Sequence, residues 1–247
     1  MWLIPLVMIS LMFLLFWTRR KRRIQFKEEV VAPLLEETFD HIEYKGLDGF
    51  EKSRIFDTKL VNRGNVFKSS DYFKALYHGI EFEFSNVLIQ NQTTQTTGKS
   101  TTTSTTTYFK GQWLVVRPKK QFDTRIYIID RDFKYSNPRG FIFRDKALEK
   151  VEMESVDFNR QFTVYAEDAH SAFYLLTPPL LEALLKIHHN NVSFYFNGSE
   201  LHIAIYSKKD MFEPKFFKKE GLESYRAEFY NSIEIITNYL EVFEVER

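Results

Sequence analysis

The chain has no cysteine, so neither a disulfide framework nor a thiolate zinc site is available to it. Glycine is scarce, nine residues in 247 and all of them single. There is no Gly-x-Gly-x-x-Gly run and no Walker lysine motif, which removes the usual backbone cradles for phosphate. The six histidines show no His-Glu-x-x-His or similar ligand spacing, and neither a metal nor a cofactor is expected. Charge of one sign is also missing. Of 34 basic residues five lie at 19–23, and the other 29 face 33 acidic ones, a net of −4. That balance speaks against a nucleic-acid-binding surface.

What the sequence does have begins at once. Trp2 to Trp17 is an almost unbroken apolar run, and Arg19, Arg20, Lys21, Arg22 and Arg23 follow it. As a helix, Trp2 to Thr18 would span roughly 25 Å, short against a hydrocarbon core of about 30 Å but acceptable with snorkelling and slight thinning. Trp2 and Trp17 fall where indoles favour the interface. Pro5 sits in the first turn, where its missing N–H costs little. A cleaved signal peptide would need a charge before the run and small residues after it; this sequence has neither. Residues 1–18 are therefore expected to be a retained single-pass anchor. The positive-inside bias puts the N-terminus outside and the domain in the cytoplasm of a membrane-bound protein.

Residues 19–45 read as a basic juxtamembrane cluster and a connecting helix, with Phe26, Val30, Leu34, Leu35, Phe39 and Ile42 at helical spacing. Pro33 should kink or divide that helix. Residues 46–247 read as one soluble domain. Gly46 to Gly64 is loop-like, with Phe50, Ile55, Phe56 and Leu60 as packing points. Ser70 is placed to cap a short helix from Asp71 to His78 that Gly79 would stop. Ile80, Phe82 and Phe84 alternate as a strand that runs on to about Ile89.

Gln90 to Thr107 is almost wholly Gln, Asn, Thr and Ser, and a flexible loop joining two long strands is expected there. A phosphorylation site or a partner-binding arm is the other reading of it. Tyr108 to Val116, Thr124 to Asp130 and Arg160 to Ala166 read as strands. Glu167 to Leu176 reads as a short helix, and Thr177 with Pro178 opens a longer one that reaches His188. Alternating runs 192–196 and 201–205 flank Asn197-Gly198, a hairpin signal. Tyr225 to Phe243 closes the chain as an amphipathic helix with Phe229, Ile233, Ile236 and Leu240 on one stripe. The order of helix, meander, helix, hairpin and helix gives an α+β domain with a mostly antiparallel sheet behind a transmembrane helix.

Several short runs carry a family resemblance. They are Phe109-Lys110-Gly111-Gln112-Trp113 with Lys120 and Phe122, then Phe162-Thr163-Val164-Tyr165-Ala166 with Asp168. Leu175-Leu176-Thr177-Pro178 follows, then Leu201-His202-Ile203-Ala204-Ile205 and Asp210-Met211-Phe212-Glu213-Pro214. In this order the chain resembles the bacterial membrane-anchored family of "domain of unknown function 3137" over most of residues 27–245. The resemblance implies a cytoplasmic domain behind an anchor and no established activity, and supplies no catalytic residue. One departure is Phe173, which stands where the family pattern has an arginine.

Candidates for chemistry are few. Glu167, Asp168 and His170 are the one acid–base-like cluster, although Asp168 also suits a helix cap and Glu167 a first helical turn. His188 and His189 point about 100° apart on a helix, and His202 falls on the outward set of its strand. Phe212, in an acidic–aromatic–proline turn, and Phe216 and Phe217, between basic residues, are candidates for partner or membrane contact; burial in the core is the competing reading for Phe212. The leading expectation is a membrane-tethered, non-catalytic scaffold that binds a membrane or cytoplasmic protein, besides the lipid bilayer itself. The alternative is a membrane-bound hydrolase or modifying enzyme with an unrecognised site. Oligomeric state is not legible in the sequence.

Overall fold

Period-two alternation builds most of this molecule. The computed structural model describes residues 3–98, 100–117, 122–135, 145, 147–187, 191–213 and 221–243. In chain order these form α1 (Leu3–Phe26), a π-helical segment (Lys27–Val31), α2 (Ala32–Thr38), β1 (Asp40–Lys45) and α3 (Lys52–Asp57). Then come β2 (Val66–Tyr77), β3 (Ile80–Thr97), β4 (Ser100–Val116), β5 (Phe122–Asp130), β6 (Glu149–Val151), α4 (Val156–Gln161) and β7 (Phe162–Ala166). The last part holds α5 (Ala169–Leu175), α6 (Pro178–Lys186), β8 (Asn191–Gly198), β9 (Glu200–Tyr206) and α7 (Leu222–Val242).

The strands make one nine-stranded sheet in the order β1-β2-β3-β4-β9-β8-β5-β7-β6, antiparallel at every pairing. The class is α+β. Its sheet is apolar on both faces. On one, α2, α4, α6 and α7 bring Leu34, Leu35, Phe158, Leu181, Leu184, Ile233 and Leu240 against Phe73, Phe84, Leu114, Ile128, Phe194 and Ile203. On the other, α3 and the chain after it bring Ile55, Phe56, Leu60 and Val61 against Val87, Ile89, Phe109, Trp113, Val115 and Ala204. Each buried Phe or Leu contributes about 2 kcal/mol relative to exposure, so both layers hold the sheet.

Several expectations change: Gly46 to Gly64, expected loop-like, holds α3, and the strand expected from Arg160 starts only at Phe162, after α4. The segment Asp71 to His78 is not a helix: Asp71 to Tyr77 belongs to β2, where Phe73 and Ala75 turn inward, and its ladder with β3 outweighs a cap signal. Gly79 does end the element, but as half of a two-residue hairpin. His78 and Gly79 have φ of 48° and 80° between the paired Tyr77 and Ile80, the turn that matches strand twist.

Gln90 to Thr107 is not a loop. β3 and β4 carry on pairing until Thr97 meets Ser100, with Gly98 at φ 62° in the turn. β2 leaves the sheet at Gln90 and β9 reaches only Gln112, so the end is a two-stranded ribbon. Threonine favours extended backbone, and Thr94 with Thr103 and Thr96 with Thr101 meet hydroxyl to hydroxyl at 3.3 Å. A ladder begun in the core needs no apolar anchor at its tip.

The connecting helix ends early: Asp40–Lys45 is strand β1, paired with β2. Pro33 falls in the first turn of α2, directly after the π-helical segment. Asp168 caps α5, accepting from the backbone N–H of His170 and Ser171. The final hairpin turns at Gly198-Ser199, one residue later than expected, closed by the Asn197–Glu200 pair.

Among the described residues no helix is long and apolar enough to cross a membrane. The described side chains in the apolar part of α1 are nonetheless exposed: Met8, and then every residue from Met12 to Trp17, with Phe13 at 71 %. Six consecutive helical positions sample every direction around the axis, so among the described residues no other element covers this stretch, and Trp17 meets only Lys21 of its own helix.

Candidate functional site

The most unusual chemistry lies where α1 meets the sheet. Lys27 stands on the same helical stripe as Val31, Leu34 and Leu35, one and two turns away, so the folding of that stripe onto the core takes the lysine inside. It is 2 % exposed. A buried ammonium is stable only when paired and fully hydrogen-bonded. Its Nζ lies 2.6 Å from Asp71 Oδ1 and donates to the Gly46 carbonyl at 3.0 Å.

Asp71 is fully buried and sits at a register shift in β2, between the pairs Ser70–Asn86 and Phe73–Phe84. Its φ is 60°, a left-handed conformation that aspartate tolerates better than most residues. The turn at 46–48 locks that backbone, since Asp71 N–H donates to the Gly46 carbonyl and Tyr72 N–H to that of Asp48. The carboxylate also accepts from Tyr44 Oη at 2.8 Å, Ser70 Oγ at 2.8 Å and Asn86 Nδ2 at 3.3 Å. Every lone pair facing the interior is used.

Two further carboxylates come from the segment between β9 and α7. Glu213 pairs with Arg23 on α1 and lies 4.0 Å from Lys27 Nζ. Asp210 has one oxygen, Oδ1, buried without a hydrogen-bond partner. Burial first, and then the charge of Asp71, push the Asp210 carboxyl above its ordinary range. Lys27 is lowered by burial, against which Asp71 works. The ligand oxygens of Asp71, Asp210 and Glu213 lie within 4.8 Å of one another, close enough to hold a cation. Lys27 already supplies that positive charge from within the chain.

A second ionic group occupies the opposite face. Arg54 of α3 grips Glu83 with both nitrogens, at 2.6 and 3.0 Å, and reaches Glu200 at 3.1 Å. Arg117 bridges Glu81 and Glu83, and Lys74 pairs with Glu81. His202, 4 % exposed, accepts at Nδ1 from Trp113 Nε1 at 3.2 Å and faces Glu200 with Nε2 at 3.4 Å. With Nδ1 accepting, Nε2 carries the proton, and both ring nitrogens are committed. Burial holds the imidazole below its ordinary range against the pull of Glu200. The bond from His202, helped by Arg54 and Arg117, takes Glu200 down to about 2 despite its burial. His202 was expected outward, and it does face away from the α7 side. That face is also covered, so outward means buried.

The expected acid–base cluster is spread over structural tasks. Glu167 binds Arg125 through both side-chain oxygens, one to the backbone N–H and one to Nε at 2.7 Å. Asp168 is spent on the α5 cap and on Ser171 Oγ, and His170 is exposed. Phe212 is fully buried among Phe73, Phe84 and Phe229, fastening the segment that carries Asp210 and Glu213. Phe216, Phe217, His188 and His189 lie outside the described residues. Of the anchor set, Trp17, Arg19, Arg20, Lys21, Arg22 and Arg23 lie along α1; Trp2 is outside the described residues. Sequence reasoning missed Lys27 and Asp71. The available signal was a lysine lying on an apolar helical stripe.

Comparison with known proteins gives little beyond family. A family model described as "Protein of unknown function (DUF3137)" matches residues 107–244. No curated protein matches the chain. Among solved structures, the crystal structure of the mycobacterial trehalose monomycolate transport factor A, TtfA, aligns over 90 % of this chain and 94 % of that one. The identity is 8 % and the TM-score 0.46, a likeness too slight to speak for fold or function.

Proposed function

This chain belongs to the DUF3137 family of unknown function, and from that premise we propose that it is a membrane-tethered, non-catalytic scaffold whose α+β domain faces the cytoplasm. One observation carries the reading. The helix whose apolar residues Met12 to Trp17 are bare on every side is joined to the domain through a buried ion pair at Lys27 and Asp71. A helix that is apolar all round and finds no protein partner is suited to lipid. The basic residues 19–23 that follow suit the inner surface of a bilayer. A scaffold needs its tether held firmly, and a dry ion pair does that where a loose linker would not. Glu167 is committed to Arg125 and Asp168 to the α5 cap, so the exposed His170 has neither carboxylate free to orient it, which supports the non-catalytic half of the reading.

The test uses the full chain. Flotation with liposomes is expected to carry the protein to the lipid fraction, and Phe13→Asp with Leu15→Asp to abolish it. Thr103 is exposed on the β4 ribbon in a chain with no cysteine, so Thr103→Cys gives a single thiol. A membrane-impermeant maleimide should leave that thiol unlabelled in intact cells and label it after lysis. Labelling in intact cells would overturn the topology, and failure to float would overturn the tether.

A further inference from the structure

Beside the Lys27 cluster the sheet opens into a cleft of about 530 Å³, lined among others by Arg23, Lys68, Leu88, Lys110, Lys209 and Asp210. That is a size usual for small-molecule sites. Its origin is in the register. Lys68 pairs with Leu88 on β3, and Leu88 with Lys110 on β4. Directly paired residues share a face, so two lysines flank one leucine in a row across three strands. Next along the face comes the row Ser70, Asn86 and Gln112. Further on are Phe84 and Leu114, under the helical layer. The cleft is the part of that face that the helices leave uncovered.

Its charge is lopsided. Among the described residues four cations line it against one carboxylate, although the chain beyond residue 23 is net acidic. Arg23 is paired with Glu213, but among the described residues Lys68, Lys110 and Lys209 have no carboxylate partner. Asp210 also lines the cleft and is partly exposed there, so its carboxylate is an acceptor on the cleft wall. Cations for an anion and a carboxylate acceptor for a hydroxyl are what a phosphodiester with a polyol head would use. Distance points the same way. From Trp17 to Arg23 the helix advances roughly 9 Å, just past a headgroup layer of about 5–7 Å.

We propose that this cleft binds a glycerophosphate group, the phosphate held by Lys68, Lys110 and Lys209 and a glycerol hydroxyl by Asp210. A phosphatidylglycerol headgroup of the adjoining bilayer is the fitting source, and that choice rests on the tether proposed above. A soluble glycerophosphate offers the same chemistry, and the cleft itself does not depend on the tether.

The experiment uses the full chain in phosphatidylcholine nanodiscs, titrated calorimetrically with short-chain phosphatidylglycerol, short-chain phosphatidylcholine and glycerol 1-phosphate. One phosphatidylglycerol per chain is expected, with phosphatidylcholine at least tenfold weaker. Lys68→Ala with Lys110→Ala should weaken binding roughly tenfold or more, while Lys186→Ala on α6 stays within about twofold. Where the double variant fails to fold, Lys209→Glu, on the exposed segment after β9, carries the same test. Equal binding by wild type and cleft variants would overturn the site and assign the lipid preference to residues 19–23. Equal affinity for the two lipids would overturn it as well. Glycerol 1-phosphate binding as tightly as the lipid would uphold the cleft and move its ligand into solution. Flotation with no lipid preference sinks the cleft alone, and cleft binding without flotation sinks the tether alone.

Discussion

The two faces of the sheet solve the same problem, buried charge, in opposite ways. On the α3 side three cations, Lys74, Arg54 and Arg117, meet three carboxylates, Glu81, Glu83 and Glu200. The group balances and its rim touches solvent. On the α7 side Arg23 and Lys27 meet Asp71, Asp210 and Glu213, one negative charge in surplus, with Lys27 and Asp71 dry. A balanced, wet network tolerates loss of a member. An unbalanced, dry one does not, and the chain has placed it where α1 joins the rest, beside the contact of Phe26 with Tyr225.

The sharpest way to break that contrast is Asp71→Asn. Asparagine keeps the left-handed backbone and strands the lysine, so about 3–5 kcal/mol of stability should disappear in a denaturant melt. Adding Lys27→Met should return most of it, and a double variant no better than the single would show that backbone strain, not charge, is at stake. Arg54→Ala removes the bidentate partner of Glu83 but leaves Arg117, and about 1–2 kcal/mol is expected.

Acid separates the faces without mutation. Glu200, brought down to about 2 from 4.5, contributes stability that is complete above pH 4.5 and is lost as the pH falls through about 2. Asp210 is raised, so it works the other way: the folded state gains from it below its folded value and loses as the pH climbs through the window above 3.8. Acid melts of Glu200→Gln against Asp210→Asn should show the first flattening the acid limb and the second removing the loss on its upper side. The smallest effect belongs to the threonine ribbon. Thr94→Ala with Thr103→Ala should cost under about 1 kcal/mol and leave both clusters untouched. A larger loss would mean that the ribbon is coupled to the core.

The legible parts of this fold were those where one physical rule acted alone. Phe229, Ile233, Ile236 and Leu240 form one stripe and one buried face. Asn197-Gly198 marked its hairpin to within a residue, and Asp168 its cap. Where two rules competed, the local one misled. Ser70 and Gly79 bracket a convincing short helix, yet Phe73, Ala75 and Tyr77 alternate as well, and only the partner strand decides between them. The Thr-rich stretch has a disordered composition and a β-forming residue, and the ladder from β3 and β4 settled it. The ionic clusters were hidden for a different reason. Glu83 and His202 sit on the polar half of an alternating pattern, which means solvent only when a sheet has a bare face, and this one has none. Lys27 could have been read from its stripe, but its partner lies 44 positions away at a backbone irregularity that no pattern announces.

That irregularity has a twin. A π turn is an α-helix with one residue too many, and the register shift at Asp71 is a strand with one residue too many. The two surplus residues face each other across a single ion pair. Removing one residue from Lys27–Val31 would close the π turn and leave its flanks nearly in phase, but removing one from the regular α-helical stretch Ile24–Phe26 would swing everything before it by about 100° around the axis. The apolar stretch would survive unchanged in composition, and the basic run would still follow it. The direction in which each of those side chains points, relative to the sheet, would be wrong. Here one amino acid's worth of length works as an angular setting, fixed by counting residues and then held by the contacts of Arg23 and Phe26.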